Sequence, residues 1–312
     1  MELEINENSE QWLTSLKNDG YCVIPNILTE QECDLTIEKM WEWLENLGTG
    51  IDRNNQDTWI TEKWPHSTRG IIQHLRVGHE EFVWDIRTNS KVIEVFSKIW
   101  KTDDLLVSFD AINIIKPVEV TKYRSIRPWF HTDQSNRKKG LSCIQSFVNL
   151  EECTENDACF SCLPKSHLYH QEMMQHFNID TSKDWIKLSN QHMLWLQEGK
   201  ECVRKRVAVP KGGMVLWDSR TIHCNRPARI PRPNPVFRYT IYICMTPKEW
   251  CDSKNLEKKK KAFNEMRMTS HWPHHIKLNP KKPNTYGKPL PNYIIRDSPP
   301  ELSEIGMKLA GF

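Results

Sequence analysis

The sequence lacks any run of apolar residues near the length that a membrane-spanning helix needs, which is about 20 residues. Its N-terminal segment MELEINENSE is acidic and does not contain the apolar core of a secretory signal. The C-terminal Ala310-Gly311-Phe312 is not a peroxisomal address. These absences predict a cytoplasmic protein without a membrane span. In that compartment the ten cysteines are expected to be reduced thiols, many of them buried.

A strong excess of one charge is also missing. Lys and Arg number 43 and Asp and Glu number 40, so the formal net charge at pH 7 is +3. Most of the excess follows residue 250, where the run Lys258–Lys261 is expected to form a solvated helix face. A nucleic-acid-binding module, one alternative for this tail, would need aromatic residues between the charges, and only Phe263 lies near the run. We therefore expect no nucleic-acid partner.

The chain does contain enough residues and aromatic surface for one elaborated domain. It has 312 residues, 13 of them Trp, which favours a core or cleft rich in aromatic side chains. Residues 1–104 are predicted to be a helical N-terminal support. Within them Thr29-Glu30-Gln31-Glu32 is a capping box, and apolar residues then recur at helical spacing as far as Gly48. Tyr21–Pro25 is predicted to be a short strand.

From about residue 105 the pattern changes to short strands separated by turn residues. The predicted strands are Leu105–Ile115, Trp129–Asp133, Ser142–Leu150, Cys159–Leu163, Val203–Val209, Met214–Asp218 and Val236–Met245. Many short strands at such intervals predict a β-sandwich or barrel over residues 105–249. Cys224–Pro235 contains four prolines and is predicted to be a loop. Residues 250–312 are predicted to be a basic, Pro-rich extension with a helix near Glu257–Met268.

One constellation within these strands carries chemistry. In His131-Thr132-Asp133 the two outer side chains point to the same face of a strand, because strand side chains alternate. With a distant histidine, His223, they could occupy one face of an octahedral iron(II) and leave three positions for other ligands. Arg238, on the next apolar strand, offers a fixed fork of donors for a carboxylate. His-x-Asp alone is a weak signal, and the four residues together are a much stronger one.

The segments around these residues resemble the phytanoyl-CoA dioxygenase family of iron(II)/2-oxoglutarate oxygenases. The segments that carry the resemblance are Asp19–Pro25, Trp129–Gln134, Leu163–His167, Gly213–Asp218 with His223, and Phe237–Tyr239. The resemblance covers roughly residues 10–246 and implies a double-stranded β-helix (jelly-roll) core wrapped by helices, in a single domain over residues 1–312. Lys165 stands where the family usually has Gly.

The resemblance also implies roles for particular residues. His131, Asp133 and His223 match the metal ligands, and Arg238 matches the arginine that pairs with the far carboxylate of 2-oxoglutarate. Asn225 stands where the family often has a small hydroxyl residue near that carboxylate, and Asn113 resembles an asparagine that touches the cosubstrate.

The implied cofactors are Fe(II), 2-oxoglutarate and O₂, and the implied activity is hydroxylation of a small or medium-sized organic substrate with release of succinate and CO₂. Because related halogenases have a small residue at the position of Asp133, the aspartate favours hydroxylation over halogenation.

Four alternatives remain open on the sequence alone. The chain could be a binding or regulatory jelly-roll protein that kept the metal site without turnover. A second metal site, for zinc, could form from Cys153, Cys159, Cys162, His167 and His170, although their spacing is irregular for one. The histidine-rich segment His271–His275 is expected to be a surface loop and could instead cap the mouth of the barrel. Trp129 and Phe130 could line a substrate cleft or simply pack, and Trp217 is expected in the core.

Overall fold

Two antiparallel sheets face each other and form the centre of the protein. In the computed structural model, residues 2–5, 9–121 and 128–312 are described. The twelve strands of this part are β1 (Tyr21–Ile24), β2 (Ile71–Ile72), β3 (Leu105–Val107), β4 (Ile112–Ile115), β5 (His131–Thr132), β6 (Ile144–Asn149), β7 (Cys159–Cys162), β8 (Ile186–Lys187), β9 (Lys205–Arg206), β10 (Met214–Asp218), β11 (His223–Arg226) and β12 (Arg238–Pro247).

The larger sheet has the order β1-β10-β6-β12-β4-β2, with β3 also paired to β12, and the smaller has the order β8-β5-β11-β7-β9. Ring contacts join their inner faces. The Phe147 and Phe160 rings lie 6.0 Å apart, and the Phe160 and Trp217 rings lie 4.8 Å apart. In the described residues the two sheets stay separate and do not close into a continuous hydrogen-bonded barrel. This is the predicted double-stranded β-helix, and Trp217 is in its core as expected.

Helices cover the outer faces of both sheets and the ends of the fold. They are α1 (Gln11–Asp19), α2 (Glu30–Asn46), α3 (Glu81–Arg87), α4 (Ser90–Trp100), α5 (Val118–Thr121), α6 (His170–His176), α7 (Asn190–Gly199), α8 (Ser253–Asn264) and α9 (Glu304–Ala310). The predicted capping box starts α2: the Thr29 hydroxyl accepts from the Glu32 backbone N–H, and the Glu32 carboxylate accepts from the Thr29 backbone N–H. No helix in the described residues has the length and apolarity that a membrane crossing requires.

Alternation along β12 separates the core from the interior between the sheets. Tyr239, Ile241 and Ile243 belong to the large apolar cluster that packs under the helices. Arg238 and Thr240 therefore point the other way, into the space between the sheets, because successive strand residues face opposite sides. This places the predicted carboxylate-binding arginine on the inner face.

Several predicted boundaries are wrong. Cys224–Pro235 is not a loop throughout, because β11 continues to Arg226 and the first proline is Pro227. By contrast, the predicted short strand at Tyr21–Pro25 is present as β1, and both β1 and β2 join the larger sheet. The helices α6 and α7 were missed, since their short amphipathic patterns lie inside a region read as strands and turns.

The C-terminal extension packs more deeply than its composition predicts. Lys259 is fully buried, with its ammonium donating to the Val107 carbonyl and lying 4.2 Å from the centre of the Phe109 ring. The prediction of a solvated face for Lys258–Lys261 is therefore wrong at this residue. The segment His271–His275 is not simply a surface loop either, since Trp272 is only 1% exposed.

Candidate metal centre

The three predicted ligands meet where β5 pairs with β11. His131 and His223 are direct partners in that pair, and Asp133 follows β5 by one residue. The Asp133 Oδ2 lies 3.6 Å from Nε2 of His131 and 3.4 Å from Nε2 of His223. One ligand atom from each of the three residues falls within 4.8 Å of the others, and all three residues are buried. The geometry is that of a group that could hold one metal ion.

Hydrogen bonds to the backbone fix both imidazoles in the orientation that a metal needs. His131 Nδ1 lies 3.1 Å from the Trp129 carbonyl, and His223 Nδ1 lies 2.9 Å from the Thr221 carbonyl. Because a carbonyl can only accept, each Nδ1 carries a proton, and in the neutral imidazole Nε2 is then the nitrogen that can bind a metal. Both Nε2 atoms face Asp133.

Asp133 is held from two sides. Its Oδ2 accepts a 3.0 Å hydrogen bond from the side-chain amide of Gln145, on β6 of the opposite sheet, and its backbone N–H donates to the Ser219 carbonyl. Gln145 was not among the predicted site residues, because its hydrogen bond with Asp133 joins two sheets and cannot be inferred from the spacing of residues along the chain. The amide holds the carboxylate in place between the two histidines.

The electrostatics of the three residues suit a divalent cation. Burial alone would raise the pKa of Asp133, but the imidazoles of His131 and His223 hold that pKa well below its usual range. Burial lowers the pKa of His223, so its imidazole is neutral near pH 7. The ionised Asp133 and the neutral His223 are then ready to coordinate a metal without first losing a proton.

Arg238 lies at the start of β12, with its guanidinium 5.0 Å from the centre of the Phe147 ring. The residue is 4% exposed, and neither terminal nitrogen has a hydrogen-bond partner among the described residues. The Thr240 hydroxyl and the Asn113 Oδ1 are likewise buried without a partner in this part of the chain. Asn113 and Thr240 are register partners on β4 and β12. Buried polar atoms normally have hydrogen-bond partners, so several without a partner in one place indicate a binding site for a polar ligand.

Asn225 also lies between the sheets. Its side-chain amide donates a 3.2 Å hydrogen bond to the hydroxyl of Tyr242, which is two residues beyond Thr240 on β12. Thr240 and Tyr242 were not among the predicted site residues, although the alternation of strand side chains places both on the same face of β12 as Arg238. The structure thus brings Arg238, Asn113 and Asn225 to the interior that contains the metal-ligand group.

The two aromatic residues before His131 have different environments. The Trp129 ring stacks on the His131 ring at 4.6 Å, and the Arg69 guanidinium lies 4.4 Å from the centre of the Trp129 ring. Phe130 is buried in an apolar cluster behind the smaller sheet. Trp129 therefore contacts a ligand residue, whereas Phe130 packs.

The residues of the alternative zinc site make other contacts. The His167 Nε2 lies 3.0 Å from the Lys17 carbonyl, and the His170 Nε2 lies 2.8 Å from the Gln134 carbonyl. Cys162 faces the interior opposite His223, with its thiol pKa raised by burial. All ten cysteines are free thiols, and nine are buried.

A double-stranded β-helix with a buried group of two histidines and one carboxylate defines the class of non-haem iron oxygenases. The chain belongs to the phytanoyl-CoA dioxygenase (PhyH) family, whose model matches residues 16–229. It is thus an enzyme of the kind that uses iron(II), 2-oxoglutarate and O₂.

One known protein is similar to the chain in sequence, and two solved structures are similar to it in fold. The chain is 32% identical over 278 residues to the Ava biosynthesis cluster protein O of Aspergillus versicolor. The aligned region covers 86% of this chain and 87% of that protein. Its fold is similar to the non-heme alpha ketoglutarate dependent carbocyclase SnoK of nogalamycin biosynthesis, at 18% identity and a TM-score of 0.51 over 77% of this chain and 83% of that one. The iron-bound EctD of S. alaskensis gives 14% identity and a TM-score of 0.54 over 79% and 80%.

Proposed function

We propose that the protein hydroxylates a small or medium-sized organic substrate, with iron(II) held by His131, Asp133 and His223. In this proposal Arg238 binds the far carboxylate of 2-oxoglutarate. The observation that carries it is the buried Arg238 guanidinium, whose terminal nitrogens have no partner in the described residues and which lies in the interior that holds the ligand group. A forked, permanently charged donor matches a carboxylate in charge and in shape.

The residues present fit both groups. The Nε2 atoms of His131 and His223 and the Asp133 carboxylate are a donor set that would hold iron(II) and would leave room for 2-oxoglutarate and O₂ to bind it. The Thr240 hydroxyl and the Asn113 amide oxygen, which have no hydrogen-bond partner in the described residues, provide further polar contacts near the arginine. When bound, iron and 2-oxoglutarate supply the oxidising power by reducing O₂, with succinate and CO₂ as coproducts.

The side chains of this protein orient and enclose the reaction. Gln145 keeps the Asp133 carboxylate between the histidines, and the carbonyls of Trp129 and Thr221 keep both Nε2 atoms directed toward the metal position. The aromatic rings of Phe147, Phe160 and Trp217 line the interior and exclude water from it.

A small-molecule substrate is supported by the similarity to a protein named for a biosynthesis cluster. Asp133 fills the third ligand position with a carboxylate, which supports hydroxylation over chemistry that needs that position open. The buried thiols support a reducing, cytoplasmic setting.

The test is an anaerobic titration of iron(II) and 2-oxoglutarate into metal-free protein. We expect the weak visible charge-transfer band of chelated 2-oxoglutarate in the wild type and its loss in His131→Ala. His275→Ala, at an exposed histidine of the C-terminal extension, is the matched control and should keep the band. Correctly folded wild-type protein without the band would reject the proposal in favour of a non-catalytic binding protein. With the band present, succinate release in air provides the readout for a substrate screen.

A further inference from the structure

Trp185 is an exposed indole next to a buried metal ligand. It is 52% exposed, and its ring centre lies 5.7 Å from that of His131. It directly precedes β8, which pairs with β5 so that Lys187 lies opposite His131. A large apolar ring in water at such a position is a ready surface for stacking a flat ligand.

A hairpin of the C-terminal extension, residues 269–278, lies on the same side of the ligand group. Its ends are joined by the bridge between Thr269 and Leu278 and by the 2.9 Å hydrogen bond from the Ser270 N–H to the Lys277 carbonyl. Trp272 anchors the hairpin by packing against Cys143 and Cys244 in a small buried cluster. These contacts give the hairpin a fixed position.

An ion-pair cluster ties the hairpin to the segment that carries Trp185. The Asp184 carboxylate accepts from Lys138 and from Lys277 of the hairpin, and it also accepts from the backbone N–H of Ser135, two residues after Asp133. Asp184 is 7% exposed, so these bonds form with little competition from water. The turn after Asp133, the hairpin and Trp185 are therefore held together.

The hairpin holds His271 against Cys143, next to the start of β6. The Cys143 thiol donates to the His271 carbonyl, and Cys143 is two residues before Gln145, the residue that holds Asp133. The His271 Nε2 is buried and has no hydrogen-bond partner among the described residues. Burial lowers the pKa of His271, and the carboxylates of Asp133 and Asp184 oppose that shift. A buried ring nitrogen in this state needs a partner that the described chain does not supply.

We propose that Trp185 and His271 form a substrate subsite for a flat, largely apolar molecule that carries a hydroxyl or carbonyl group. The Trp185 indole stacks on the flat part of the molecule, and the His271 Nε2 forms a hydrogen bond with its polar group beside the metal ligands. The inference rests on the proposed function and gives the substrate a chemical class. His271 lies beyond residues 16–229, so the family match does not assign it.

The experiment measures binding without turnover. The full chain, loaded with Zn(II) and 2-oxoglutarate and labelled with ¹⁵N at tryptophan, is titrated with 2-naphthol, and the Trp185 indole N–H signal is assigned with Trp185→Phe. Naphthalene has the same flat rings without the hydroxyl, and trans-2-decalol has the hydroxyl without flat rings. We expect 2-naphthol to shift the Trp185 signal saturably and both comparison compounds to bind more weakly.

His271→Phe should weaken 2-naphthol binding about 5-fold, the value of one net hydrogen bond, and bring it to the level of naphthalene. His271→Gln restores a polar group at the position of Nε2 and should recover part of the affinity, which a purely structural role of His271 would not predict. His275→Phe, at an exposed residue of the same hairpin, is the control and should bind like the wild type.

The subsite is rejected if 2-naphthol leaves the Trp185 signal unchanged or binds His271→Phe and wild type equally. Equal melting temperatures of the variants would show that altered binding does not come from unfolding. Binding of 2-oxoglutarate is measured in the same samples by calorimetry. Intact 2-oxoglutarate binding without a naphthol response rejects the subsite alone, whereas absent 2-oxoglutarate binding rejects the proposed function.

Discussion

Replacing Arg238 by Met should separate the stability of the protein from its ability to bind 2-oxoglutarate. Without ligand, the wild-type guanidinium is buried and its terminal nitrogens have no partner in the described chain. Leaving a buried polar group unsatisfied costs about 1–3 kcal/mol, and more for a charged group. The contact with Phe147, at 5.0 Å, offsets about 0.5–2 kcal/mol of this. Methionine fills a similar volume without charge.

We therefore expect ligand-free Arg238→Met to be as stable as the wild type or more stable by about 1–2 kcal/mol, which raises the melting temperature by a few degrees. With Zn(II) present, 2-oxoglutarate at about 100 times its Kd should stabilise the wild type by roughly 2.7 kcal/mol. The variant should lose most of this gain, because it lacks the partner of the far carboxylate.

Pyruvate provides the matched ligand, since it has the 2-keto acid group but lacks that far carboxylate. The wild type should bind 2-oxoglutarate more tightly than pyruvate by about 10- to 150-fold, the value of a charge-assisted hydrogen bond of about 1.5–3 kcal/mol. In Arg238→Met the two affinities should become nearly equal. Scanning calorimetry and isothermal titration with both ligands measure these quantities. A variant that is clearly less stable than the wild type and still prefers 2-oxoglutarate would refute the reasoning.

Three further outcomes are expected. Gln145→Leu removes the amide that donates to Asp133 at 3.0 Å and should weaken Mn(II) binding about 10- to 100-fold in a calorimetric titration, with unchanged affinity counting against the role. Trp272→Ala should cost about 3–5 kcal/mol in urea unfolding, because the residue is 1% exposed, and a loss below 1 kcal/mol would show that the hairpin is not anchored there. Burial lowers the pKa of Lys259 to about 7. Between pH 7 and the ordinary lysine pKa, the unfolded state therefore binds more protons than the folded state. The free energy of unfolding should rise with pH in this range by up to about 1.4 kcal/mol per pH unit. Lys259→Met should remove that rise, and equal slopes for the two proteins would contradict the assignment.

Local chemistry made several features readable from the sequence. The capping box at Thr29 and Glu32 satisfies the first turn of α2 with residues three positions apart, so it needs no tertiary context. The pattern His-x-Asp put His131 and Asp133 on one side of the chain, and the apolar strand around Arg238 put that residue in a sheet. Each of these depends on neighbours within a few residues.

Other features could not be predicted, because they depend on contacts between residues that lie far apart along the chain. Gln145 reaches Asp133 across two sheets, and 132 residues separate Gln145 from Lys277 of the hairpin that closes the same side. Lys259 looks like a solvated residue within its own run, yet α8 turns it toward the Val107 carbonyl and the Phe109 ring. Composition counts a lysine only as a charged residue, whereas tertiary packing determines whether its side chain is exposed to water.

The sequence by itself determined the residue types of the metal group, their strand context and the family to which the chain belongs, because alternation and spacing are properties of the chain. The tertiary structure decided which atoms face one another: the pairing of His131 with His223, the burial of Arg238 with no hydrogen-bond partner for its terminal nitrogens in the described chain, and the contact of the His271 carbonyl with Cys143. Pairing between strands distant in sequence and docking of the C-terminal extension follow from burying apolar surface across the whole chain. The free energy of folding depends on the packing of the whole chain, so a local sequence pattern does not reveal these contacts.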